Sequence, residues 1–356
     1  MDAIFKKQLV KYFEKRMKPT NFISNLYKKV KLTGVSAEIQ GQDVKSTYSV
    51  DVKLGTGARR HEFGIHETKT VVVPEYNDIT TVSEEDILRV QAGETEYSTK
   101  VANSVQLVAK RQILFSDMQR RAEEKQAVEA LLNGKITLAD KTEIEFRKKA
   151  THNINLSAKK WTDDTSNPIE ELSKAIELIT TDGKVGTSEF NLILENKGLR
   201  ALLGNKNFKE NSNFNNNVKR NDIKMPVEMT AGATFHGQFS VDSYIVNLWT
   251  YNAIYDIPTG FNFANEGYSC KYIPDGKAIL LPTETEFEVY YGAIADVNTQ
   301  DTSFIGGGLN LVETEQLSYA YPVIRNGVKA LECGVKSRPL YYPVNIDCVV
   351  TFENVA

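Results

Sequence analysis

The residues able to do chemistry in this chain are few, and their spacing argues against catalysis. The best metal candidate is His61-Glu62-Phe63-Gly64-Ile65-His66-Glu67. A zinc-protease helix needs His-Glu-x-x-His, which sets both imidazoles one turn apart on one face. Here one residue too many separates the histidines, and the segment reads as strand and loop, a surface hairpin with incidental histidines. Gly55-Thr56-Gly57 lacks the third glycine and the following helix of a dinucleotide fingerprint. Gly306–Gly308 is not followed by the Lys-Ser/Thr of a P-loop, so both read as turns. Asp163-Asp164 is a carboxylate pair just ahead of a helix pattern, where negative charge favours the helix start. No Gly-x-Ser-x-Gly elbow occurs, and no histidine lies near Cys270, Cys333 or Cys348. The three cysteines are far apart and without a CxxC pair, which predicts buried, reduced thiols and a reducing cytoplasm. The expectation is no catalytic residue, no cofactor and no metal.

The elements around these residues fit a globular chain. With 356 residues, 41% of them hydrophobic and 25% charged, there is material for two or more compact units. That composition excludes wholesale disorder. No run approaches the roughly 18 apolar residues of a membrane helix, so no membrane partner is expected. The first residues, MDAIFKKQLVKYFEKRMK, carry charge where a signal peptide needs an apolar core. Charge is uneven: residues 1–31 hold nine Lys or Arg against Asp2 and Glu14, a net of +7 in a chain of net −3. Such an arm suits nucleic acid or an acidic partner. Its apolar residues, Phe5, Leu9, Tyr12 and Phe13, also suit docking on a neighbour.

Periodicity supplies the elements. Tyr48, Val50, Val52 and Leu54 alternate with polar residues, Gly55–Gly57 turns the chain, and a second extended run through Phe63 and Thr70–Val73 closes at Pro74. This predicts a long hairpin over 42–76, which needs a cover because an isolated two-stranded ribbon is marginal in water. A short helix is expected over Ser83–Gly93. A long one is expected over 98–133, with Ser98 as N-cap, Gly134 at its end, and Val101, Val105, Val108, Phe115, Met118 and Ala122 as its apolar stripe. Ile136–Phe146 reads as a strand. Pro168 opens a helix carried by Ile169, Leu172, Ile176 and Ile179 and closed at Gly183. A short strand at Phe190–Leu194 and a short helix at Gly198–Leu203 follow. Asn205–Asn217 reads as a mobile loop, and from Ala233 onward the chain is mostly β. The class is α+β, without an internal repeat.

Taken in order, these elements resemble a tailed-phage major capsid protein of the lambda-type (protein E) family, with the HK97-like fold. KPTNFISNLYKK (Lys18–Lys29) is similar to that family's start, and RQILFSDMQRRAEEKQAVEALLNGK (Arg111–Lys135) to its spine helix. Trp161 followed by Asn167-Pro168, Leu194-Glu-Asn-Lys-Gly198, Tyr272-Ile-Pro-Asp275 and Lys336-Ser-Arg-Pro-Leu340 resemble further steps of its pattern. The Asn-rich loop and the basic first residues depart from it.

The resemblance implies an N-terminal arm (1–41), an extended hairpin loop (42–76) and a peripheral domain with the spine helix (77–165). An axial domain (166–325) and a C-terminal β segment returning to the core (326–356) complete it. It implies a head protein that assembles, in the host cytoplasm, into pentamers and hexamers of an icosahedral shell enclosing double-stranded DNA. Its partners would be itself, a separate scaffolding protein, a portal and a decoration protein, with DNA contacted non-specifically. Contacts between subunits are expected at Val50 and Val52, from Arg59 and Arg60 to Glu123 and Glu124 of a neighbour's spine helix, and at Phe5 and Phe13. Two other readings compete: an encapsulin-type compartment shell, and a soluble enzyme or glycan-binding protein.

Overall fold

The computed structural model describes residues 18–41, 67–83, 86, 100–212, 227–230, 232–259, 267–296, 310–325 and 328–356. The tip and most of the expected hairpin, and residues 1–17, lie outside these. The chain enters through a 3-10 turn (Ser24–Leu26) and β1 (Lys28–Lys31). Next, β2 (Ser36–Gly41) pairs antiparallel with β3 (Glu67–Val72), which leads into β4 (Tyr76–Val82). Where a helix is expected at Ser83, the Ser83 hydroxyl donates to Asp86 Oδ2 and accepts from the Asp86 N–H, a reciprocal cap of a helix start.

Helix α1 (Lys100–Asn133) is the expected long helix. Its 34 residues span roughly 51 Å at 1.5 Å per residue. Gly134 ends it at φ +65, a left-handed conformation that glycine adopts without penalty. The strand expected at 136–146 is instead a hairpin of β5 (Lys135–Thr137) and β6 (Glu143–Glu145). Its turn is set by Asp140, whose carboxylate accepts the Thr142 N–H, and by Lys141 at φ 67. After β7 (Asn153–Asn155), α2 (Pro168–Asp182) starts on Pro168 and buries Leu172, Ala175, Ile176 and Ile179. Gly183 caps it in a right-handed conformation. Close approach is what demands glycine there, since a Cβ would meet the Asp347 carbonyl oxygen at 2.9 Å.

Then come β8 (Glu189–Leu194), α3 (Asn196–Gly204) and α4 (Lys206–Ser212). The loop expected at 205–217 is therefore helical in its first part. Asn205 is buried: its amide donates to the carbonyls of Trp161 and Asp163, and its Oδ1 caps α4 by accepting the Phe208 N–H. Asn at a helix start is a cap before it is a loop former. Positions 213–217 lie outside the described residues. The remaining strands are β9 (Val227–Thr230), β10 (Ala233–Val241), β11 (Tyr244–Tyr251), β12 (Ile254–Asp256), β13 (Ser269–Lys271), β14 (Lys277–Pro282) and β15 (Phe287–Tyr291). They continue with β16 (Ile294–Asp296), β17 (Asn310–Val312), β18 (Gln316–Arg325), β19 (Val328–Ser337), β20 (Pro339–Pro343) and β21 (Val350–Glu353).

Three sheets organise the molecule. A seven-stranded mixed sheet runs β7-β21-β14-β8-β11-β10-β9 and packs against α2. A sheet of order β18-β19-β4 lies along α1, and a third joins β1, β15 and β20. Sheet membership crosses the boundaries read from the sequence. β7 and β21 complete the central sheet, and β18, placed by sequence with the axial unit, pairs along its length with β19 beside α1. Pairings such as Leu331↔Val82 join segments far apart in the chain, which a linear pattern does not encode.

Candidate assembly surface

α1 has two unlike halves. From 105 to 116 no residue is buried, whereas from 123 to 132 only Lys125 and Glu129 escape burial. The second half is enclosed by its own subunit: Ala127, Val128, Ala130, Leu131 and Leu132 belong to the main apolar core. In the first half Val105 is 63% exposed, Ile113 50%, and Met118, just beyond, 48%. Val105 and Met118 were expected in the packed stripe. Met118 in fact shares a helix face with Arg111 and Lys125, seven residues to either side, and that face is open.

Side-chain bonds to strand backbone join α1 to its sheets. Gln112 donates to the Tyr319 carbonyl (3.1 Å), Gln119 to the Val335 carbonyl (2.7 Å), and Gln126 accepts the Tyr341 N–H (3.0 Å). Ser116 donates to Gln316 and Gln119 also to Asp78. Residues 112, 116, 119, 123 and 126 recur at alternating spacings of four and three, so they form one stripe. The spacing was visible in the sequence. The spacing alone does not say that strand backbone lies against it.

Glu123 and Glu124, expected to reach a neighbour's arginines, are buried inside the subunit. Both oxygens of Glu124 are engaged. Oε1 accepts the Ile23 N–H (2.8 Å) and the Tyr251 hydroxyl (2.8 Å), and Oε2 accepts the Ser24 N–H (2.9 Å). Glu123 Oε2 accepts the hydroxyls of Tyr291 and Tyr341, each at 3.2 Å. Burial raises both carboxyls above their ordinary range, and these donors oppose it. The expected pairing with Arg59 or Arg60 therefore fails on the glutamate side. Its cause is that a charged pair on a long helix reads as exposed unless the donors that satisfy it are known. Val50, Val52, Arg59, Arg60, Phe5 and Phe13 lie outside the described residues.

The hairpin's base is fixed. Val71, Val73 and Ala37 are buried while Val72 points out. Glu75, between β3 and β4, pairs with Lys336 (2.8 Å) and with Arg338, which also donates to the Ala293 carbonyl. Desolvation disfavours the Glu75 charge, yet the hydrogen bonds from Lys336 and Arg338 hold its carboxyl below the usual range. On β4, Asp78 faces α1, so the adjacent, exposed Ile79 points from the opposite face of the sheet. On the edge strand β18, Ile324 is 72% exposed. The features that stand out are thus an open helix half, the strand β18, which among the described residues pairs on one side only, and a braced hairpin base. They offer apolar and backbone groups for pairing and no reactive constellation. Among the described residues no helix is long and apolar enough to cross a membrane.

Comparison with known proteins agrees. The family model for phage major capsid protein E matches residues 7–354. A solved structure described as a capsid protein of a prophage of E. coli CFT073 superposes with a TM-score of 0.63 at 16% identity, covering 95% of this chain and 94% of that one. The capsid of cyanophage Pam1 gives 0.52 at 9% identity, over 99% and 97%. The capsid of cyanophage P-SCSP1u gives 0.50 at 9%, over 98% and 93%. At such identities the likeness is one of fold, the HK97-like fold. Comparison with curated proteins returns no match.

Proposed function

The chain belongs to the phage major capsid protein E family, and from that premise we propose how its copies contact one another. It is a major capsid protein, a structural subunit of an icosahedral bacteriophage shell. The observation that carries our reading of its contacts is the open half of α1. A helix that keeps Val105 and Ile113 in water, beside an edge strand bearing Ile324, is covered by another copy in the shell. The cover is the neighbour's hairpin, residues 42–76, through the apolar strand face of Val50 and Val52. Arg59 and Arg60 add exposed pairing worth about 0–1 kcal/mol each. Apolar burial at roughly 25 cal/mol per Å² dominates. Phe5 and Phe13 of the arm dock on a neighbour likewise.

The copies group as pentamers and hexamers around double-stranded DNA, contacted without sequence preference. A scaffolding protein, a portal and a decoration protein complete the head, which assembles in the host cytoplasm before becoming part of the virion. No step requires catalysis. The test is negative-stain microscopy and sedimentation of the purified chain, alone and with its scaffold. Capsomers or closed particles are expected, and a monomer under every salt and scaffold condition contradicts the reading. Replacing Val50 and Val52 together with Asp should leave a folded subunit that does not assemble. Outright unfolding of that variant places the hairpin in its own core.

A further inference from the structure

Residues 19–27 cross from the seven-stranded sheet over α1 and deliver the chain to β1, which pairs parallel with β15. Their apolar anchors are Ile23 and Tyr27, both buried, and Phe22, whose ring lies 5.2 Å from that of Trp249 and 5.5 Å from that of Tyr251. The turn they contain has no cap of its own: no side chain of the segment accepts its first amides. Those amides, Ile23 N–H and Ser24 N–H, end on the two oxygens of Glu124, 101 and 100 positions away. Tyr251 donates to the same carboxylate and shares a 2.5 Å bond with the Thr20 hydroxyl, so the segment's start is tied to the same group.

Buried backbone N–H groups without an acceptor cost about 1–3 kcal/mol each, and charge-assisted bonds are roughly twice as strong as neutral ones. The end of the segment is also held by the Tyr27 hydroxyl, which donates to the Ala127 carbonyl (3.2 Å), and by Thr285, which donates to the Leu26 carbonyl (3.2 Å), but its start and its turn converge on Glu124. Beyond the segment, the chain is held by an edge strand and an exposed Lys29–Glu315 pair, worth at most about 1 kcal/mol. We propose that residues 19–27 form a strap that opens and closes as one unit, and that Glu124 is the latch that holds it shut. A closed strap fixes the position at which the described chain begins, at Lys18 and Pro19, and an open one frees it. The inference rests on contacts within one subunit and stands apart from the shell contacts proposed above.

The test is amide hydrogen exchange and trypsin cleavage at Lys28 and Lys29 on the full, unassembled chain. Glu124→Gln keeps the shape and one acceptor but turns an amide group toward a backbone N–H. It should raise exchange at Ile23, Ser24 and Tyr27 by roughly tenfold or more, speed cleavage, and leave β8, β11 and β14 unchanged. Glu123→Gln, which alters the adjacent buried carboxylate without touching the strap, should leave exchange at Ile23 and Ser24 as it was. Unchanged protection at those amides in Glu124→Gln overturns the latch. A rise shared equally by β11 and α1 overturns the strap as a unit. Should Glu124→Gln fail to fold, Tyr251→Phe and Thr20→Ala trim the same network from its other side. A smaller increase confined to 19–27 then supports the proposal, and a uniform or absent one overturns it.

Discussion

The two halves of α1 are one continuous helix with opposite surroundings. Residues 123–132 are wrapped by the strap, β20 and the apolar core, while residues 105–116 rest on β18 through Gln112 and Ser116 and bury nothing fully. Helix propensity is the weaker in the open half, which holds Val105, Val108, Ile113, Phe115 and Ser116, where 123–132 has only Val128 among the poorer formers, yet the helix runs through both. The difference lies in what covers them. On the proposed reading, the half that leaves Val105 and Ile113 exposed is the half a neighbouring copy covers.

Substitutions in the two halves should therefore separate folding from assembly. The largest effect on folding is expected for Leu131→Ala, which empties a fully buried site. It should cost about 2–5 kcal/mol in urea unfolding, whereas Ile113→Ala should stay within about 0.5 kcal/mol. Equal costs would erase the contrast. Gly134→Ala comes next. Its φ of +65 costs a side chain about 1–2 kcal/mol, and the added methyl would lie 2.5 Å from Lys148 Cβ, which must shift.

Lys148 sharpens the comparison at the enclosed end. Its ammonium donates to the Leu131 carbonyl in the last turn of α1 and to Thr351 on β21, pinning the helix to the central sheet. Burial lowers its pKa to about 7, helped by Lys277 and opposed by Glu353 and Asp347. The unfolded lysine titrates near 10.4, so above pH 7 the unfolded chain binds the extra proton and stability rises with pH. From this group the gain is at most about 1.4 kcal/mol per unit, lost again as pH falls toward 7. The buried Cys348 thiol, pushed up to about 12, tilts the other way above the free-thiol range, so the window is pH 7 to about 8.5. Lys148→Met should flatten the profile in that window, and an unaltered slope would remove the lysine as its source. A small effect on folding and the largest on assembly are expected together for Val105→Asp with Ile113→Asp. Unfolding free energy should stay within about 1 kcal/mol, while sedimentation finds few or no particles.

Much of this architecture was legible. Gly134 and Pro168 marked a helix end and a helix start because their backbone constraints are local. The β character from Ala233 onward was visible too, and the strands Tyr244–Tyr251 and Lys277–Pro282 are its buried centre. What the sequence hid was long-range. Glu123 and Glu124 read as partners for a neighbour's arginines because their real partners, like those of Gln119 and Gln126, are backbone groups and tyrosine hydroxyls of strands and a strap remote in the chain. Asn205 read as loop because its acceptors lie 39 to 44 positions earlier. The open half of α1 hid for the converse reason: apolar spacing reports that a face wants cover, and is silent on whether the cover is the same molecule.

Hydrogen exchange along α1, measured on the unassembled subunit and on assembled particles, tests this most directly. Amides of 105–118 should gain roughly tenfold protection or more on assembly, with those of 123–132 unchanged. No gain at 105–118, or an equal gain in both halves, would contradict the assignment of the open half to a neighbouring copy.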